Sequence, residues 1–431
     1  MIKVIGAGLA GVEASFYLAN KGLKVKLYEM RPVKMTEAHR TDKFAELVCS
    51  NSLRSKDPYN AVGMLKEELI MLNSLVMEAA LKTEVDAGSS LAVDREAFSE
   101  YITNKIKAHP LIEVINEEVI SIDPNIPTII ATGPLVSKDF ALYLKEFLNL
   151  KVLHFFDAVA PIISKDSIDL KICYFKNRYD IGEPAYINCP MTKKEYNKFY
   201  NELIKAETAS LKSFEKDVFE GCLPIEVMAK RGEDTLLFGP LKPVGLRREN
   251  ESPYAVVQLR QDDALKSMYN MVGFQTNLKF GEQKRIINLI PGLENANILR
   301  YGVMHKNTFF PSPTVLNHFY QVKEYPNIFI VGQISGVEGY IESASSGLSA
   351  AYHLEKLLKG DLEKPFPPTT MIGALASYIS FPNNNFNPMN ANIGLLPFLD
   401  FEHKKKERRK LYYERSIKTL TEFLKEDYDD W

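Results

Sequence analysis

The stretch from Met1 to Met30 constrains this chain more than any other, because it reads as strand, glycine-rich turn, helix and second strand in immediate succession. Ile2-Lys3-Val4-Ile5 is a short apolar run that stops at Gly6-Ala7-Gly8-Leu9-Ala10-Gly11. This is a G-x-G-x-x-G turn, whose glycines let the backbone bend tightly and approach a pyrophosphate. A helical apolar stripe follows from Val12 to Ala19 and ends near Lys21-Gly22, where a basic residue and a glycine suit a helix C-terminus. The strand Lys24 to Tyr28 then delivers Glu29, about twenty positions past the glycines, where a carboxylate accepts the hydroxyls of an adenosine ribose. A lone glycine motif is weak evidence. With strand, helix, second strand and acid in order, a dinucleotide site is expected rather than a glycine turn in an unrelated α/β unit.

Two later stretches point to the same ligand. Pro127 to Pro134 reads as a buried strand closing on Ala131-Thr132-Gly133, small residues that let a cofactor lie near the backbone. Asn327 to Tyr340 supplies a strand and a second glycine-rich turn, Gly332-Gln333-Ile334-Ser335-Gly336-Val337-Glu338-Gly339, followed by a helix over Glu342 to Leu358. Two-dinucleotide flavoproteins use such a late turn to aim a helix N-terminus at the electron-rich side of a flavin, so FAD is favoured over NAD. Tyr340 either stacks beside a flat ligand or packs in the core. Arg31, at a strand end, either meets an adenosine or phosphate group or is an ordinary solvated loop residue.

The fold class expected is α/β, a Rossmann-like FAD domain of the two-dinucleotide-binding type. It spans residues 1–150 and 300–431 and is interrupted by an inserted α+β domain at 151–299. The insertion has a different texture, with strands such as Val152 to Phe156 and aromatic-rich helices such as Glu195 to Lys205. Before it, leucines 65, 69, 72 and 75 predict one amphipathic helix over Gly63 to Thr83. Asp94 is a plausible N-cap for a helix beginning near Arg95, Glu113 to Ile122 reads as a strand pair, and Pro365 to Pro368 marks a linker into a helical C-terminal section. Arg95 falls in a first turn where the helix dipole gives a cation nothing, which indicates either a functional contact or a surface salt bridge.

Charge excludes a uniformly polyanion-attracting molecule: 53 Lys and Arg against 55 Asp and Glu leave a net charge of −2 over 431 residues. An RNA partner must therefore be met locally. The run Lys404-Lys405-Lys406-Glu407-Arg408-Arg409-Lys410 reads as helical and is either a solvated face or an RNA contact. The loop holding Lys242, Arg247 and Arg248 and the strand with Arg260 carry the same two readings. A strand beginning at Ile2, with Glu13 close behind, leaves no room for a signal peptide, and no apolar run approaches membrane-spanning length. A cytoplasmic home is expected, with no membrane and no evident obligate protein partner.

The four cysteines, Cys49, Cys173, Cys189 and Cys222, form no C-x-x-C, which argues against a zinc site and a disulfide framework. No metal is expected. Cys173 and Cys189 read as structural. Cys49 precedes Ser50-Asn51-Ser52, which suggests a thiol against a hydrogen-bonded turn, although a small buried hydrophobe has the same signature. Cys222 sits in Gly221-Cys222-Leu223-Pro224, a turn context that exposes a thiol, and its reactivity is open on sequence alone.

Taken together, Tyr28 to Pro32, Phe44 to Ser55, Ala92 to Arg95, Glu220 to Gly232 and Val331 to Tyr340 resemble the folate- and FAD-dependent tRNA (uracil-5-)-methyltransferases, from Val4 to about Leu396. The resemblance implies C5 methylation of a T-loop uridine in tRNA to ribothymidine. Methylenetetrahydrofolate gives the carbon, FADH2 the reducing equivalents, and NAD(P)H regenerates the reduced flavin. By family position Cys222 is the nucleophile at C6 of uracil and Cys49 a general acid/base nearer the flavin. Gly6, Ala7, Gly8, Leu9, Ala10, Gly11, Glu29, Arg31, Gly133, Gly332, Gln333 and Tyr340 are the expected cofactor residues. His305, Tyr340 and Arg95 are the expected substrate contacts. Phe309-Phe310-Pro311 and Ala391 to Leu396 depart from the family pattern on the folate side and near the terminal helix.

The resemblance extends to some close relatives in the same family that methylate ribosomal RNA instead of tRNA, so a 23S rRNA uridine is the alternative target. Two readings of other classes stand beside it. One is an FAD oxidoreductase of a small metabolite, which has no use for Cys222. The other is a non-catalytic flavin-containing RNA-binding module related to the larger tRNA wobble-uridine modification flavoprotein.

Overall fold

The computed structural model describes residues 1–149, 153–180, 182–209, 223–248, 252–361, 364–384 and 386–429, without the side chains of 153–157, 305, 306 and 427–429. A six-stranded sheet forms its centre, in the order Gln321–Val322, Tyr325–Ile330, Thr128–Ile130, Ile2–Ile5, Val25–Tyr28, Ile112–Ile115. All neighbours pair in parallel except the short Gln321–Val322 edge. Helices cover the sheet, so strands such as Thr128–Ile130 read as unbroken apolar or small runs and are buried along their length. The chain leaves Ile2–Ile5 first towards Val25–Tyr28 and later reappears on its other side as Thr128–Ile130. The crevice at the carboxyl ends of these strands is therefore the topological switch point, where such sheets bind ligands.

Gly6 and Gly11 make the first turn possible. Gly6 has φ +102°, and a Cβ there would lie 2.5 Å from the Ala131 carbonyl oxygen; one on Gly11 would lie 1.8 Å from the Gly6 oxygen. The helices Leu9–Asn20 and Tyr340–Lys359 cross closely, because a Cβ on Gly347 would stand 2.1 Å from the Ala10 oxygen. Each fully buried leucine between such elements, Leu18 and Leu348 among them, contributes roughly 1.5–3 kcal/mol.

A second sheet has its own core, which includes Ile163, Ile187, Val257, Leu259 and Met271. It is antiparallel, in the order Tyr174–Phe175, Tyr186–Met191, Ala255–Gln261, Met268–Met271, Ile162–Ser164, Ile298–Arg300. The helix Lys193–Leu203 adds Tyr196, Phe199 and Leu203 to that core, and its start is fixed by a capping box between Thr192 and Glu195. The strands Leu153–Ala158 and Met304–Phe309 pair antiparallel, so the outgoing and returning chain segments run side by side.

Several local expectations need correction. The helix expected over Gly63 to Thr83 is two, Ala61–Met71 and Leu75–Lys82; Asn73 at φ +57° breaks it, and Ser74 restarts it by accepting the Met77 N–H. Of the strand pair expected in Glu113 to Ile122, only Ile112–Ile115 forms. Asp94 is the N-cap as expected, accepting from Glu96 and Ala97, but a strand, Ser90–Val93, precedes it. The basic run is helical only from Arg408 onwards.

The C-terminal section is held to the main core by a buried glutamate. Glu68 accepts the N–H groups of Met371 at 2.7 Å and Ile372 at 2.8 Å, at the start of the helix Met371–Tyr378, and also the Ser416 hydroxyl. Glu13 does the same for the helix Leu75–Lys82, accepting from Ser74, Leu75 and Val76. None of Cys49, Cys173 and Cys189 is in a disulfide; the last two are buried together with their sulfurs 3.3 Å apart. Among the described residues, no helix is long and apolar enough to cross a membrane.

Candidate active site

The switch-point crevice is a cleft of about 1000 Å³, counting its open mouth. It is lined by Gly6, Gly8, Leu9 and Ala10 of the first glycine turn, by Glu29 and Arg31, by Ala131-Thr132-Gly133, and by Gly332, Gln333 and Tyr340 of the second turn. The sequence-expected cofactor residues thus converge, except that Ala7 and Gly11 stand behind the lining and shape it. A Cβ on Gly8 would meet no protein atom within 4 Å, which leaves the approach to the N-terminus of the helix Leu9–Asn20 open. That N-terminus has no side-chain cap, and neither does that of Tyr340–Lys359. Uncapped N–H groups of this kind bind phosphate.

Just past the strand Val25–Tyr28, Glu29 is buried. Its Oε2 accepts the Ala7 N–H at 2.9 Å, and its Oε1 accepts the Arg31 N–H and Nε at 3.1 and 3.0 Å. Burial pushes this carboxyl up, but the Arg31 guanidinium and the two amides outweigh burial and hold it below the ordinary value. Oε2 carries one hydrogen bond and retains acceptor capacity for a ribose hydroxyl. Arg31 is 2 % exposed, so it is no solvated loop arginine. Its Nη1 donates to the Thr41 carbonyl at 3.1 Å and to Glu46 at 3.3 Å, which fixes the loop over the cleft. Thr132 also lines the cleft, and its Oγ1 is buried with no hydrogen-bond partner among the described residues, a polar atom left for a ligand. The open Gly8, the ionised Glu29, the orphaned Thr132 hydroxyl and two uncapped helix N-termini fit a dinucleotide.

Beyond Val48, which lines the cleft, the chain turns through Cys49. The Tyr340 hydroxyl accepts the N–H groups of Cys49 at 2.9 Å and Ser50 at 3.3 Å. Burial pushes the Tyr340 hydroxyl well above its ordinary pKa, so it stays neutral. Cys49 Sγ lies 3.9 Å from the Ala158 carbonyl oxygen. Arg95 donates to Asp262 at 2.9 and 3.2 Å and to the Leu47 carbonyl oxygen. Burial works against its charge, but the paired Asp262 favours it and outweighs burial.

The structure therefore brings Cys49, Tyr340 and Arg95 together. His305 lies on the strand Met304–Phe309, opposite Asp157, with its side chain outside the described set, and Cys222 lies outside the described residues altogether. Sequence reasoning missed Glu46, Asn51, Asp262 and Arg300, and it read Arg260 as a surface or RNA contact. Arg260 is buried, donating to Asn51 Oδ1 and Ser50 Oγ. The signal was an arginine inside a strand, Ala255–Gln261, that is buried at every position.

The parallel sheet, its glycine turn and the cleft fed by two helix N-termini define an α/β protein of the two-dinucleotide-binding type. More particularly, the chain belongs to the family described as GIDA, glucose inhibited division protein A, whose model matches residues 1–361. Two relatives are named Methylenetetrahydrofolate--tRNA-(uracil-5-)-methyltransferase TrmFO. The one from Acholeplasma laidlawii is 62% identical over 426 residues, covering 98% of this chain and 99% of its own. The one from Listeria monocytogenes is 57% identical over 430 residues, covering 99% of each. These full-length matches agree with the family expected from the sequence. A crystal structure of Aquifex aeolicus GidA superimposes with a TM-score of 0.72 at 15% identity, covering 99% of this chain and 73% of that one, and shares the fold.

Proposed function

We propose that this protein methylates C5 of a uridine in the tRNA T-loop to ribothymidine, using FAD, methylenetetrahydrofolate as carbon donor and NAD(P)H as reductant. Uridine, methylenetetrahydrofolate and FADH2 become ribothymidine, tetrahydrofolate and FAD; the proton removed from C5 is matched by one taken up by the departing tetrahydrofolate. The observation that carries the reading is Cys49, seated beside the dinucleotide cleft with its N–H on Tyr340. Relatives bearing the tRNA (uracil-5-)-methyltransferase name at 62% and 57% identity support it.

Residues 1–150 and 300–431 hold the cofactor in this reading, and 151–299 carries the nucleophile and the RNA contacts. Reduced FAD, when bound, supplies the reducing equivalents that make the transferred methylene a methyl group. The protein must make C5 of uracil nucleophilic and then remove its proton. A Cys222 thiolate adding at C6 does the first, since a soft sulfur suits conjugate addition, and the C6–S bond breaks again by elimination after the C5 proton is gone. Cys49 does the second as general base. The neutral Tyr340 hydroxyl holds the Cys49 backbone, and His305 and Arg95 stand on the substrate side.

The test is transfer of labelled carbon from methylenetetrahydrofolate, with NADH or NADPH, into unmodified tRNA and 23S rRNA fragments in parallel. Label is expected in tRNA ribothymidine and is lost in Cys222→Ala. Label only in rRNA keeps the chemistry and moves the target. No label in either, from yellow and reducible protein, overturns the reading in favour of a small-molecule oxidoreductase.

A further inference from the structure

Four of the residues in the turn Leu47-Val48-Cys49-Ser50-Asn51 are each held by a guanidinium, and the fifth is the cysteine. Arg95 donates to the Leu47 carbonyl, and Arg300 Nη2 donates to the Val48 carbonyl at 2.8 Å. Arg260 donates to Ser50 Oγ at 2.6 Å and to Asn51 Oδ1 at 3.0 Å. Cys49 itself gives its N–H to Tyr340. Arg95 opens the helix Arg95–Ala108 of the first core, whereas Arg260 and Arg300 come from strands of the second sheet. The turn is thus clamped from both sides of the junction between the two sheets.

The charges around it do not balance. Among the described residues, the cations facing the turn or acting on its clamp are Arg95, Arg260, Arg300 and Arg40. The carboxylate that answers them is Asp262, paired with Arg95 at 2.9 Å. Glu46 is committed to Arg31 and the Thr41 loop. Tyr340 stays neutral, and Arg300 Nε is buried without a hydrogen-bond partner among the described residues. Burial, then Arg95 and Arg40, work against the Arg300 charge, and Asp262, already paired with Arg95, favours it only more weakly. Cys49 is the one ionisable residue in the turn.

We propose that Arg95, Arg260 and Arg300 are positioning residues that hold Cys49 as a thiolate near neutral pH, its sulfur supplying the counter-charge the cluster lacks. Adjacent guanidinium groups stabilise a thiolate in this way, and a guanidinium does not surrender its proton in return. The inference rests on the reading of Cys49 as the base for the C5 proton, because a base must be unprotonated before it acts.

The experiment is alkylation of the FAD-loaded protein by iodoacetamide between pH 5.5 and 10, with the Cys49 peptide quantified by mass spectrometry so that other cysteines do not contribute. An ordinary cysteine titrates near about 8.5. The Cys49 midpoint is expected about one unit or more lower, to rise by about one unit in Arg300→Gln, and to be largely restored in Arg300→Lys. A wild-type midpoint at or above the ordinary value overturns the proposal, even if the variants do not fold. So does an unchanged midpoint in folded, yellow Arg300→Gln. Carbon transfer fails independently: no label with a low midpoint sinks the proposed reaction but not the thiolate, and normal label with an ordinary midpoint does the reverse.

Discussion

The Tyr340 hydroxyl accepts the Cys49 N–H at 2.9 Å across 291 positions of sequence, joining the second glycine turn to the turn that carries the cysteine. Because Ser50 donates to the same oxygen, Tyr340→Phe strands two N–H groups at once. Leaving a buried donor unsatisfied costs roughly 1–3 kcal/mol. The variant is expected to stay yellow, melt a few degrees lower and transfer carbon about tenfold to a hundredfold more slowly, since Cys49 loses its registration. Unchanged transfer would show that the hydroxyl only packs.

Gly8 is the cleanest test of where the cofactor lies. A side chain there meets open space in the protein, so any harm it does must come from what shares that space. Gly8→Glu places a carboxylate in the phosphate path at a helix N-terminus and is expected to give folded but colourless protein, read from the ratio of flavin to protein absorbance. Folded protein that is still yellow would move the pyrophosphate elsewhere.

Legibility followed locality. The first turn was readable because strand, glycines, helix and Glu29 lie in one continuous stretch, each reporting on the next. Glu29 could be named from its spacing, but its dependence on Arg31 and Ala7 could not, because that is set by how the loop folds back. The Arg clamp on Cys49 was the least legible part. Arg95, Arg260 and Arg300 lie far apart in the chain, and only the packing of the second sheet against the first brings them to one turn. The break at Asn73 was missed for a different reason: leucine periodicity continues through a left-handed residue that redirects the backbone.

Glu68 makes stability depend on pH. Burial pushes its carboxyl from the ordinary 4.5 up to about 7, against the opposing hydrogen bonds of Ser416, Met371 and Ile372. Between those values the folded chain holds a proton that the unfolded chain has lost, so this contribution is full at low pH and falls as pH rises to 7. The loss is about 3 kcal/mol at most. In denaturant titrations the stability of wild type relative to Glu68→Gln should therefore fall by about 2–3 kcal/mol from pH 5 to pH 8. Glu13, likewise raised to about 7, is common to both proteins and cancels. A constant difference would mean that Glu68 is ionised throughout.

The exposed run from Lys404 to Lys410 is a misfit as a helix start. Arg408, Arg409 and Lys410 open the helix Arg408–Asp429 with no acidic residue in its first turn, against the dipole. Arg409 reaches Asn60 Oδ1 at 3.3 Å, the cap of the helix Ala61–Met71, and so sets the run beside the segment that follows the Cys49 turn. Lys410 is answered by Glu414 at 3.6 Å and Glu407 precedes the helix, and the positive charge that remains is explained if RNA phosphates supply its anions. Replacing Lys404, Lys405, Lys406 and Arg408 by glutamine is then expected to weaken tRNA binding and to reduce the slope of log affinity against log salt by about 2–4. Flavin content and melting temperature should stay near wild type, because these side chains are exposed. A slope that does not change would make the run a solvated face and move the phosphate contacts to another surface.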